Sequence, residues 1–200
     1  MENSIPEVFI IESLQQGDFR EGILIKKILK LGGRNAKHKY VISKNDFLDA
    51  VQEFESLNYR YLHISSHGNK NQLFFEFGGM DFLDFGRIVN PHLEGKRVFI
   101  SACEAVNEVD NRLATTLIRD GKCVSVIGFE KPIRFDLAAL FWSNFYFLAF
   151  EDKDQNQTKI KITRRIILKN LKNLSKLFSL NVNYYSLSKR KGVKLTSIIC

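Results

Sequence analysis

"YLHISSHG", residues 61–68, and "RVFISAC", residues 97–103, decide how this chain folds. Each is a run of β-branched and aromatic residues that stops on a reactive side chain, His67 in the first and Cys103 in the second. Such runs read as buried central strands. Working outward, further strands are expected at 7–14, 37–43 and 123–130, with a short strand or hairpin arm at 72–79. Helical spacing of apolar residues predicts helices over 18–33, 43–58, 80–93, 111–122, 136–151 and 159–179. The first stops at Gly32–Gly33, Ser43 or Asn45 caps the second, and Pro91 stops the third. Strands that alternate with helices imply an α/β fold, with parallel strands joined by right-handed crossovers and helices on both faces. Residues 1–180 are expected to form one domain, and 181–200 a basic tail or edge strand. Deleting 189–200 is then expected to leave the core folded. The stretch 151–158, "EDKDQNQT", reads as a loop.

In open α/β sheets, ligands bind beyond the carboxyl ends of the strands. His67 and Cys103 both sit at such ends, so neighbouring strands would bring them over one crevice. A free thiol is a weak nucleophile near neutral pH, and an adjacent imidazole can take its proton and later return it to a leaving group. Alone, a cysteine at a strand end or a His–Gly pair is ordinary packing; the pairing is the signal. Gly68 has no Cβ, so a backbone N–H there could approach a substrate carbonyl oxygen, and the Cys103 N–H is a second oxyanion donor.

Composition narrows the alternatives. The chain has 200 residues and is 44% hydrophobic and 12% aromatic, enough for a sizeable core. No apolar run approaches the ~20 residues needed to span a bilayer. The start, "MENSIPEVFII", lacks the basic region of a secretory signal, and a cytoplasmic protein is expected. Cys103, Cys123 and Cys200 are widely spaced and odd in number, which argues against a disulfide framework. No metal is expected: there is no CxxC pair, and His63 and His67 lie about 13 Å apart along a strand. No phosphate loop is apparent, and no cofactor is expected. The net charge of +8 is concentrated in residues 151–200, with 12 Lys or Arg against 3 Asp or Glu. Apolar residues at 160, 167, 171, 174 and 178 follow helical spacing there, so the lysines and arginines fall on a solvent face.

"HISSHG" followed by "FISACE" resembles the two signature blocks of the caspase-like (clan CD) cysteine peptidases, and within them the CHAT branch. The segment 112–150 resembles the helix, strand, loop and helix after the family's cysteine. The resemblance covers about residues 60–180 and implies a three-layer α/β/α sandwich with a mostly parallel sheet. It also implies a His67–Cys103 dyad, an oxyanion hole from Gly68 and Cys103, and no catalytic metal. "SACEA" stands where caspases carry QAC[RQG]G, so aspartate specificity does not carry over. The interval from His67 to Cys103 is also shorter than the caspase interval of about 50. Glu104 and Asp136, with Glu130 a lesser candidate, are the expected carboxylates for selecting a basic side chain. The implied activity is a cysteine endopeptidase that cleaves a protein substrate in regulated proteolysis, such as bacterial defence or cell death, under a regulatory protein partner. The alternative is a non-catalytic adaptor that binds a partner protein or nucleic acid through its basic C-terminal part.

Overall fold

Alternation along the first strand already shows the layering. In β1 (Val8–Ser13), Phe9 and Ile11 face one core while Val8 and Ile10 face another. All four are fully buried, so this strand is covered on both sides. The computed structural model describes residues 7–108, 112–151, 162–188 and 192–198. Within them follow α1 (Glu21–Leu31), β2 (Ala36–Tyr40), α2 (Lys44–Ser56), β3 (Tyr61–Gly68), β4 (Gln72–Phe75), β5 (Gly78–Asp81), α3 (Phe82–Val89) and a short 3-10 turn (Asn90–His92). Next come β6 (Arg97–Ser101), α4 (Arg112–Arg119), β7 (Ser125–Phe129), α5 (Phe135–Glu151), α6 (Arg164–Phe178), β8 (Val182–Ser188) and β9 (Gly192–Ile198). Most of the expected 151–158 loop and the start of the expected 159–179 helix lie outside the described residues.

The main sheet runs β2-β1-β3-β6-β7-β8-β9, and β4–β5 form a hairpin off the end of β3. The first five of these strands are parallel, while β8 and β9 are antiparallel to their neighbours. One core packs α2, α3 and α4 on the face carrying Phe9, Leu62, Ile64, Val98 and Ile100. The other packs α1, α5 and α6 on the face carrying Ile10, Tyr61, Phe99 and Ile127. The architecture is the expected mostly parallel α/β/α sandwich.

Local chemistry explains the boundaries. Ser43 caps α2 in a full capping box with Asp46. Asp81 caps α3 by accepting from the Leu83 and Asp84 amides. Thr163 caps α6, which buries Ile166, Ile167, Leu171 and Leu174 and exposes its basic residues. No helix among the described residues is long and apolar enough to cross a membrane.

The C-terminal strands are more deeply built in than their sequence suggests. β8 lies inside the sheet between β7 and β9, so of these two strands β9 is the one at an edge. The apolar side chains of β9 are sparse, yet Ile198 is 9% exposed in one core, and Val193 and Leu195 pack against the other. The expectation that losing 189–200 is harmless therefore changes. Among the described residues, truncation before 189 removes one buried and two half-buried apolar side chains and bares the β8 edge. We expect a loss of about 2–4 kcal/mol, or roughly 5–15 °C in Tm for a domain of this size. An unchanged Tm in the truncated protein would show that β9 contributes nothing.

Candidate active site

Register brings the two reactive side chains together. In the parallel β3–β6 pair, Ile64 lies beside Ile100 and Ser65 beside Ser101. One pleat further on come His67 and Cys103. Side chains at even spacing share a face, so His67 follows Tyr61, His63 and Ser65, while Cys103 follows Phe99 and Ser101. Both emerge on the α1/α5 side and line one small pocket of about 70 Å³. Ser65 and Ser101 lie deeper in the same pocket, and Ile133, Phe135 and Ala138 form an apolar wall.

The turn that carries Cys103 is held from several directions. After β6, Glu104 adopts a left-handed conformation with φ +55°, at a cost of about 1–3 kcal/mol for a non-glycine residue. Hydrogen bonds compensate for it. Asn107 Nδ2 donates to the Glu104 carbonyl at 2.9 Å. From β8, Asn183 Nδ2 donates to Val106 O at 2.8 Å and the Tyr185 hydroxyl to Asn107 O at 2.8 Å. The interior strand β8 thus braces the loop after the cysteine. Gly68 ends β3 against the same turn, where a Cβ would lie 2.9 Å from Ala102 Cβ and 3.1 Å from the Cys103 carbonyl oxygen. Close packing of the two strand ends requires glycine there, whatever its amide does.

Cys103 Sγ is 3.4 Å from the Ile133 N–H, which donates to it, and 3.6 Å from the Ile133 carbonyl. The loop between β7 and α5 therefore holds the sulfur. Cys123 is in a different state: fully buried, its thiol is pushed up to about 12 by desolvation, which leaves almost no thiolate near neutral pH.

His67 is fixed on two sides. Its Nε2 is 2.8 Å from Asp18 Oδ2, and its ring meets Phe135 edge-on at 5.1 Å. Asp18 is itself oriented, since Oδ2 accepts from the Gln15 amide at 2.9 Å and its own amide donates to Gln15 O. With Nε2 on Asp18, Nδ1 is the nitrogen left to exchange a proton with a thiol. The resemblance implied two side chains; a third, Asp18, touches the histidine.

The carboxylates expected to select substrate fall outside the pocket. Asp136 is exposed on the first turn of α5, with both oxygens taken by the Arg134 guanidinium at 3.0 and 2.5 Å. That pairing holds its carboxyl below the usual range. Glu104 reaches towards the Lys70 ammonium at 3.7 Å. Glu130 follows β7, and its amide bonds to Asn181 O. None of the three lines the pocket formed by His67 and Cys103.

Two residues with functional placement were missed, Asp18 and Glu21. Both follow β1, which neighbours β3 in the sheet. An acidic pair just past a strand end was a visible signal, but helical spacing over 18–33 absorbed it. The observed helix begins only at Glu21. Among the described residues, no group of three or more His, Cys, Asp or Glu side chains is placed to hold a metal ion.

No protein-family profile matches the sequence, and no curated protein matches it. Among solved structures, the chain is similar to the Arg-specific cysteine proteinase gingipain R (RGPB), with a TM-score of 0.56 and 12% identity. That match covers 85% of this chain and 42% of the gingipain chain. A complex of Porphyromonas gingivalis RgpB pro- and mature domains matches with a TM-score of 0.55 and 14% identity, over 86% and 43% of the two chains. The chain thus spans less than half the length of these neighbours. At such identities the likeness speaks for architecture, and the architecture is the caspase-like α/β sandwich with a mostly parallel sheet.

Proposed function

We propose that this chain is a cysteine peptidase in which Cys103 is the nucleophile, His67 the general base and acid, and Asp18 the residue that positions His67. The observation that carries the reading is the shared pocket past two adjacent parallel strands, lined by both a thiol and an imidazole. His67 takes the Cys103 proton, and the sulfur attacks the scissile carbonyl carbon. The carbonyl π electrons move to oxygen, and the Gly68 and Cys103 amides donate hydrogen bonds to that oxyanion. His67 then gives its proton to the leaving nitrogen as the C–N bond breaks, leaving a thioester. Water, deprotonated by His67, hydrolyses the thioester and restores the thiol. The fixed Nε2–Asp18 bond steadies the imidazolium that forms twice in this cycle.

The same reading places the chain in the CHAT branch, on the strength of "HISSHG" and "FISACE". It gives it a protein substrate and regulated proteolysis, such as bacterial defence or cell death, under a protein partner. The solved pro-domain complex of a structural neighbour fits such a partner. Both described cysteines are free thiols, which suits the reducing cytoplasm. The peptidase unit in this reading extends beyond residue 180, since β8 and β9 belong to its sheet.

A peptidyl acyloxymethyl ketone should alkylate the 200-residue chain at Cys103, as mapped by mass spectrometry, and leave Cys123 untouched. Labelling confined to other nucleophiles would overturn the assignment. A companion expectation concerns Gly68. Gly68→Ala should push the Cys103 turn outward by tenths of an ångström and lower kcat/KM by about 10-fold or more, since small displacements at a reacting group are costly. Wild-type kinetics in Gly68→Ala would show that the strand ends tolerate a Cβ.

A further inference from the structure

Beneath the reactive pair, the pocket holds a carboxylate oxygen with nothing to bind. Glu21, the first residue of α1, is 1% exposed and lines the same pocket as His67 and Cys103. Its Oε1 lies 3.3 Å from His63 Nε2. His63 Nδ1 lies 3.0 Å from the Tyr146 hydroxyl. Burial, and then the charge of Glu21, push the Tyr146 phenol well above its ordinary value. It therefore stays protonated and can donate to Nδ1, leaving the Nε2 hydrogen for Oε1 of Glu21. Oε2 has no hydrogen-bond partner among the described residues. A buried acceptor left in this state carries its full desolvation cost, and an incoming donor would remove it.

The surroundings indicate which donor. Ile133, Phe135 and Ala138 offer an apolar wall, and Ser65 and Ser101 bring hydroxyls to the same pocket. An apolar sleeve ending in a buried, unpartnered carboxylate oxygen and two hydroxyls matches a lysine side chain, whose methylene stem ends in three rotatable N–H donors. Arginine matches less well. Its planar fork is best met by two parallel carboxylate oxygens, and here His63 already engages one of them. Resting on the peptidase reading above, we propose that Glu21 is the specificity residue. The pocket takes the residue before the scissile bond, with lysine preferred over arginine and both over acidic or apolar residues. The exposed Asp136, neutralised by Arg134, has no such role.

The test uses the 200-residue chain and one peptide ketone series that differs only in the residue next to the warhead: Lys, Arg, Leu or Asp. A charge-assisted hydrogen bond in a buried site should make the Lys probe react roughly 10- to 100-fold faster than the Leu probe. The Arg probe should fall between them and the Asp probe last. In Glu21→Gln, which keeps the residue's shape and an acceptor for His63, the Lys:Leu rate ratio should fall close to one. Equal Lys and Leu rates in the wild type, an Arg probe faster than Lys, or a Lys preference that survives in Glu21→Gln would overturn the specificity proposal and leave the dyad standing. Failure of every probe to label Cys103 would instead overturn the peptidase reading, and the specificity proposal with it. Should Glu21→Gln fail to fold, the wild-type ranking decides, together with protection of Cys103 by n-butylammonium but not n-butanol.

Discussion

Cys103→Ala and His67→Ala are each expected to lower kcat/KM for a peptide substrate by roughly 10³- to 10⁶-fold, and the double variant by little more than either alone. The non-additivity follows from chemistry: the thiol without its base stays protonated, and the base without the thiol has nothing to activate. Neither change should unfold the protein. His67 and Cys103 are only half-buried, and the packing around them is carried by Ser65, Ser101, Phe135 and the Asn183 and Tyr185 bonds to the next loop. Circular dichroism and Tm close to wild type should accompany the loss. Cys123→Ala serves as the control, because that thiol is fully buried and pushed up to about 12. It should retain turnover at some cost in stability. Full turnover in either Cys103→Ala or His67→Ala, in folded protein, would remove the peptidase reading.

Asp18→Ala should give the next largest effect, about 10- to 100-fold in kcat, the range found when the residue that orients a catalytic or ligating group is removed. Asp18 touches His67 and no reacting atom, so its effect should fall on kcat with KM nearly unchanged. A merely structural contact would instead lower Tm and the active fraction, leaving kcat per labelled site intact. Active-site titration separates these cases. Asp18→Glu should recover part of the rate, since a longer carboxylate can still reach Nε2 across the present 2.8 Å bond. Asp18→Asn can turn an amide N–H towards the ring and should recover less. Undiminished kcat in Asp18→Ala would reduce the site to two side chains.

Much of the frame was readable along the chain because burial writes itself into local pattern. The runs "VFII", "YLHIS", "RVFIS" and "SVIGF" are fully or nearly fully buried strands, as their composition requires. The helices appeared wherever apolar residues recurred every three or four positions, with errors confined to their ends. Where polar and apolar residues mixed, reading failed. "VNYYSLS" and "GVKLTSI" looked like a tail with at most one edge strand, because their apolar residues are few. β8 became a strand by pairing with β7, a partner that no local window contains, and β9 by folding back on β8.

The sequence by itself determined that His67 and Cys103 stand at the ends of strands, and that Ser65 and Ser101 share their faces, since alternation is a property of the strand alone. Only the tertiary structure decided that β3 and β6 are adjacent and in register, that β1 lies on the other side of β3, and hence that Asp18 meets His67 and Glu21 floors the pocket. It likewise took Asp136 out of the site by turning it towards Arg134. Hydrogen bonds and desolvation depend on distances between residues far apart in the chain, such as the 49 positions that separate Asp18 from His67. Those distances are set by how strands order themselves in a sheet, and a chain read one window at a time carries no record of that order.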